Sequence, residues 1–300
     1  MNGASATQLD LFLDSRAVAL ANEILAAVLM RDDRAALVGL RQARLEGHDH
    51  PALPALERLT RALVDWRPPA RNAHAIAKVV AGLDQNVVPA AQSALGDRAQ
   101  GFVAGFFDQL SELARDLPYD PAHRGAHRAS LRLRCADFIG AEQAAQSIPG
   151  WTTMPDALHW ITIARYRLHG LEAARSTLFA FAWVEPGGVE RLLRELNDEV
   201  LDRDWRAFEA ACDWDSIPAG TLPAWFPAWY VMEHPAVAAS LDPASFPDMP
   251  AAAAARLMSE LLDLERRGNS RTLIAARERL RSLNLDLFAV YMKRRAVLHA

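Results

Sequence analysis

Cysteine is almost missing from this chain of 300 residues, with Cys135 and Cys212 far apart. That excludes a disulfide-stapled scaffold and any Cys-x-x-Cys metal or redox motif. Each sits in an apolar helical context, so both read as reduced core thiols. Strand signals are scarce too. Runs of Val, Ile, Thr and Tyr, which favour strands, are few, and Pro89 follows Val87-Val88 at once. The glycine loop that cradles phosphate and the Gly-x-Ser-x-Gly elbow of hydrolases are both missing. The chain therefore reads as a non-enzyme that needs no cofactor and no metal, although carboxylates that meet only in space escape such a reading. Neither sign of charge dominates: 33 basic and 37 acidic residues give a net charge of −4, which excludes wholesale attraction to nucleic acid or an anionic membrane. Long apolar runs are lacking as well. The stretch from Ala17 to Met30 is broken by Asn22-Glu23 and is too short for a bilayer. With no signal-peptide pattern at the N-terminus, a cytoplasmic location without membrane contact is expected.

What is present favours helix. Hydrophobic residues make up 51% and charged residues 23%, which suits a globular chain rather than a disordered one. Alanine, leucine and arginine dominate, and all three are helix formers. Val18, Leu20, Ile24, Leu25, Val28 and Leu29 fall on one broad helical face behind Asp14, a plausible N-cap. Further helices are expected at 34–46 (stopped by Gly47), 51–66, 71–83 and 89–95. Asp97 is expected to cap another that runs to Leu117, and one or two occupy 121–148. Pro149, Gly150 and Pro155 mark a domain boundary between Ile148 and Asp156. Beyond it come 156–169 and 171–184 turning at Gly170, then 187–201 and 204–212. Residues 214–227 read as a loop rich in Pro and Trp, followed by a helix at 229–241 and a linker at 242–250. Helices 251–267, 270–282 and 285–298 close the chain. The expected organisation is an N-terminal tail, 1–13, and helical hairpins at 14–148 and 149–300.

Several hairpins span roughly 30–35 residues, the period of helical-repeat arrays. Such hairpins cannot bury their apolar faces alone, so neighbours stack into an α-solenoid. The segment from Asp156 to Pro186 resembles a tetratricopeptide repeat. Tyr166 stands at the aromatic position of the first helix, and Gly170 lies near the turn. Ala174 and Leu178 match small and large positions, and Pro186 closes the unit. The small residue expected near Ile163 is missing and the turn is one residue short. Arg203-Asp204-Trp205, with Phe208 and Ala211, gives a weaker echo. The resemblance covers about half the chain and implies fold more than function.

One segment speaks to function. Gln8-Leu9-Asp10-Leu11-Phe12 resembles the short peptide, Gln-Leu-Ser/Asp-Leu-Phe, by which bacterial replication and repair proteins dock on the DNA sliding clamp. The resemblance implies that Leu11 and Phe12 fill an apolar pocket, that Gln8 hydrogen-bonds at a second subsite, and that Leu9 and Asp10 complete the peptide with Asp10 facing solvent. The other reading makes Leu9, Leu11 and Leu13 a cover for the first hairpin. Asn284-Leu285-Asp286-Leu287-Phe288 lacks the glutamine and reads as helical core.

The remaining candidates each carry two readings. His123 and His127 would share a helix face, yet a metal needs a third ligand and none is evident. His48-Asp49-His50 reads as exposed loop. Arg124, Arg128, Arg132 and Arg134, like Lys293-Arg294-Arg295, would touch phosphates or form a solvated helix face. Trp205, Trp214, Trp225, Trp229 and Tyr230 would line a peptide groove or seal a joint between hairpins. The sequence thus points to an all-α, protein-binding scaffold recruited to the sliding clamp through its N-terminal tail. The alternatives are a peptide-binding repeat protein without that link, and a helical enzyme or nucleic-acid binder.

Overall fold

A computed structural model describes the backbone of residues 4–47, 50–218, 220–241, 245–246, 248–268 and 270–298. Within those ranges side chains are described from Arg16 to Ala296, except at 239, 240 and 270. No strand occurs among the described residues, and the fold is all-α. No helix among them is long and apolar enough to cross a membrane. The chain divides into two compact units, one up to Asp137 and one from Phe138 onward. The division falls before Pro149 because helix 138–146 packs on helix 155–169, which makes Pro149-Gly150 a turn inside the second unit.

The first unit holds α1 (Ala4–Leu29), α2 (Asp33–Leu45), α3 (Leu53–Val64), α4 (Ala73–Gly82), α5 (Val88–Leu95), α6 (Ala99–Leu113) and α7 (Arg128–Arg134). Its core gathers Ile24, Leu56, Leu59, Ile76, Phe106 and Leu110, all fully buried. Asp32 caps α2, its Oδ1 accepting from the Ala35 N–H at 2.9 Å, and Asn72 caps α4 through the Ala75 N–H at 2.8 Å. Asp14 lies inside α1 rather than at its start, because good helix formers extend the pattern back to Ala4. Asp97 sits in a 3-10 turn (Gly96–Arg98) and does not cap α6. The stretch 121–148 breaks into a 3-10 turn (Pro121–Ala126), α7 and a further helix, with Ala136 at φ 58° ending α7.

Two close approaches tie α1 and α2 to their neighbours. Gly39 of α2 faces Ile24, and a Cβ there would lie 2.6 Å from Ile24 Cγ1. Arg31, in the left-handed turn between the helices at φ 55°, places its guanidinium 5.2 Å from the Phe102 ring and 4.8 Å from that of Phe106. It also donates to the Phe102 carbonyl, so the cation–π contact joins this turn to α6.

The second unit holds α8 (Phe138–Gln146), α9 (Pro155–His169), α10 (Leu171–Val184), α11 (Val189–Leu196), α12 (Glu199–Glu209), α13 (Phe226–Glu233), α14 (Pro250–Arg267), α15 (Ser270–Leu283) and α16 (Leu285–Leu298). α9 and α10 form a hairpin turning at Gly170, whose φ of 79° favours glycine. The Thr162 and Thr177 hydroxyls meet at 2.9 Å inside it, against the fully buried Ala174. Tyr166 donates to Asp198 Oδ2 at 3.0 Å, while Asp198 Oδ1 caps α12 through the Leu201 N–H. One carboxylate therefore ends a loop and joins successive hairpins. The expected loop at 214–227 is helical in its last part: a 3-10 turn (Leu222–Trp225) runs into α13, and Pro227 stands in the first turn of that helix. A proline there gives up no intrahelical bond and starts a helix as readily as it stops one.

Gly39→Ala is expected to lower stability by about 1–3 kcal/mol through overpacking against Ile24. Gly82→Ala, where a Cβ meets open space, should leave stability unchanged or raise it by up to ~1 kcal/mol. Urea unfolding of the two variants beside the wild type checks both.

Candidate functional site

The aromatic residues singled out by the sequence form the heart of the second unit. Trp205, Trp214, Trp229 and Tyr230 are all buried, at 9%, 7%, 5% and 3% exposure. Their rings surround Phe208 and Phe226: Trp214 lies 4.8 Å from Phe208, Trp205 lies 5.2 Å from Phe226, and Tyr230 lies 5.5 Å from Phe226. The Trp214 indole donates to the Phe208 carbonyl at 3.1 Å, so its polar edge is satisfied inside the core. Trp225 differs, because one side of it lines an open groove.

That groove has a volume of about 600 Å³, within the range of small-ligand and peptide sites. Its apolar lining includes Trp183, Ile217, Trp225, Met249 and Leu285. Ser216 is fastened to α16: its N–H and its hydroxyl donate to Asp286 Oδ2 at 2.7 and 2.6 Å. Asn284 Oδ1 accepts from the Leu287 N–H at 2.7 Å and caps α16. Both ties hold the rim without the help of a ligand. Leu285 stands 53% exposed at that rim, so its apolar surface meets solvent. Arg281 is exposed beside it and makes no ion pair among the described residues. Trp183 also lines a smaller neighbouring cavity with Trp151 and Phe246, and its indole N–H is buried without an acceptor. An apolar trough with an arginine that has no ion pair among the described residues suits a short apolar segment that carries an acidic group.

The segment 284–288, expected as core, is divided in role. Leu287 is fully buried, Asn284 caps, Asp286 anchors the Ser216 loop, and Leu285 faces out. The backbone of residues 8–12 belongs to α1. The side chains of Gln8, Leu9, Asp10, Leu11 and Phe12 lie outside the described residues.

Other expected clusters come apart. His123 sits in the 3-10 turn at a non-helical φ of −129° and His127 is extended, so the two share no helix face. His127 caps α7, its Nδ1 accepting from the Ala129 N–H. His123 faces His74 instead, a pairing 49 residues apart that no local pattern signals. His50 accepts from the Ala52 N–H, while His48 and Asp49 lie outside the described residues. The basic stretches spend their charge within the protein. Arg132 pairs with Asp108, Glu112 and Asp137, and Arg134 with Asp84. Arg294 pairs with Glu233 and Arg295 with Glu265. Asp204 and His234 approach to 3.0 Å, a carboxylate–imidazole pair also invisible in sequence, and among the described residues no Ser, Thr or Cys hydrogen-bonds that imidazole.

Comparison with protein-family models, with characterised proteins and with solved structures finds no match to this chain.

The thiols are free, and both are half-buried rather than fully in the core. Burial, with Asp108 next, pushes the Cys135 thiol up to about 11, and burial also raises that of Cys212. A raised thiol pKa keeps Cys135 mostly protonated at neutral pH, which slows its reaction as a nucleophile. Labelling with a thiol-specific reagent at neutral pH should therefore be at least ~10-fold slower at Cys135 in the native protein than in urea. Peptide mass mapping of the labelled protein measures it; equal rates would refute the burial argument.

Proposed function

We propose that this chain is a non-enzymatic protein-binding scaffold, and that the groove of the second unit holds a short peptide segment of its partner. The observation that carries this reading is the groove itself: a mainly apolar lining, an exposed leucine, and an arginine with no ion pair among the described residues. Aromatic and aliphatic walls supply the burial that drives peptide association. Arg281 adds selection for an acidic group at the rim, where charge steers more than it binds. The α9–α10 hairpin and its Tyr166 link to α12 support an arrangement of stacked hairpins like that of tetratricopeptide proteins. The resemblance of residues 8–12 to the sliding-clamp peptide supports a second role, recruitment to that clamp in bacterial replication or repair.

Two experiments separate the roles. Displayed random peptides selected on the intact protein should converge on apolar sequences with an acidic neighbour. Leu285→Glu, at an exposed position, should weaken the selected peptides by at least ~10-fold while melting like the wild type. Peptides that bind the variant as well as the wild type would remove the groove from the proposal. Calorimetry of the intact protein against a bacterial sliding clamp should show micromolar binding that disappears in Leu11→Ala/Phe12→Ala. Failure of the intact protein to bind removes clamp recruitment and leaves the groove untouched.

A further inference from the structure

We propose that His74 and His123 form a two-histidine site for a divalent transition-metal ion of the copper, nickel and zinc group, with Asp120 as the positioning residue. His74 lies in the first turn of α4 and His123 in the 3-10 turn Pro121–Ala126. His123 Nδ1–H donates to Asp120 Oδ2 at 2.8 Å. That bond fixes the tautomer and leaves Nε2 as the ring's free nitrogen, as a second-shell carboxylate does for a metal-binding histidine. The carboxylate is itself held, because Asp120 Oδ1 accepts from the Ala122 N–H at 2.9 Å.

His123 Nε2 lies 3.2 Å from His74 Nδ1, and the two rings are nearly perpendicular at 89°. Two nitrogens that far apart, each ~2.05 Å from one ion, would subtend roughly 100° at it, between the octahedral and tetrahedral angles. Without metal the gap holds a single proton in an N–H···N bond. With metal, a small rotation of the exposed His74 ring brings both lone pairs onto the ion. The proton between the rings moves to His74 Nε2, and His123 Nδ1 keeps its proton, hydrogen-bonded to Asp120, so no proton is lost in the exchange. Acid opposes the site, since an imidazolium has no lone pair to give.

The ligand count sets the class of ion. Among the described residues no three His, Cys, Asp or Glu side chains converge on a metal. Water must complete the shell, which rules out the tightness of a closed structural zinc site. Imidazole nitrogen with water favours copper most, then nickel and zinc, over magnesium or calcium. The ligands are 49 residues apart, so a bound ion would clip α4 to the turn before α7 and raise stability by mass action.

The test uses the intact protein without an affinity tag, titrated with Cu²⁺ and with Ni²⁺ at neutral pH by calorimetry and followed by thermal melting. One equivalent should bind, raise the melting temperature, and give the electron paramagnetic signature of copper–imidazole nitrogen. Affinity should fall at least ~10-fold in His74→Ala and in His123→Ala, fall about tenfold in Asp120→Asn, and stay unchanged in the exposed His169→Ala. His74 is exposed, so its replacement leaves the fold intact and decides the matter even if His123→Ala folds poorly. No binding by the wild type, or equal binding by wild type and His74→Ala, overturns the site.

Discussion

Phe226 opens α13 and touches five aromatic neighbours at once, Phe179, Trp205, Phe208, Trp229 and Tyr230, at centroid distances of 5.2 to 6.0 Å. The second unit depends on this contact because its middle helices are short. α11 has 8 residues, α12 has 11 and α13 has 8, and isolated helices of that length are marginal in water. Their persistence rests on burying one face against another, and the faces meet at Phe208 and Phe226. Offset and edge-on rings add about 0.5–1.5 kcal/mol per pair beyond area burial. The groove inherits its walls from this arrangement, since Trp225 is fixed by the helix that follows it.

Polar groups work at the seams between hairpins. Asp198 caps α12 and accepts from Tyr166, Asp204 takes His234 and Arg203, and Glu265 takes Arg277, Arg295 and Tyr291. Asp204 and Glu265 are nearly buried, and a buried carboxylate is tolerated only when its lone pairs are met. Such pairs add little net stability but reject misaligned packings, where a charge would be left alone.

Most helices were legible because periodicity and punctuation are local. The Gly170 turn and the hairpin around it follow from neighbouring residues, whereas the caps at Asp32, Asn72 and Asp198 went unread and those expected at Asp14 and Asp97 do not form. Proline misled at Pro227, because its ring suits a first turn as well as a break. The boundary at Asp137 was hidden since it is set by the packing of α8 on α9, not by composition. The candidate site was the least legible part. Tryptophan density drew the reading to residues 205–230, yet Trp205, Trp214 and Trp229 went to the core, and the groove took Trp183, Leu285 and Arg281 from segments with no shared pattern. Its shape comes from contacts between residues far apart in sequence, as does the meeting of His74 with His123.

The hydrogen bonds from Ser216 to Asp286 cross 70 residues of chain. A contact of such separation forms late, after the local hairpins, because closing a long loop precedes any reward from it. During synthesis the Trp183 and Trp225 walls leave the ribosome well before Leu285 and Asp286 do. For that interval the Ser216–Asp286 hydrogen bonds cannot form, and the apolar residues of the groove lack their last neighbours. Asp286 therefore ties the Ser216 loop to the last helix, so the lining of the groove is complete only when both ends of the unit are in place.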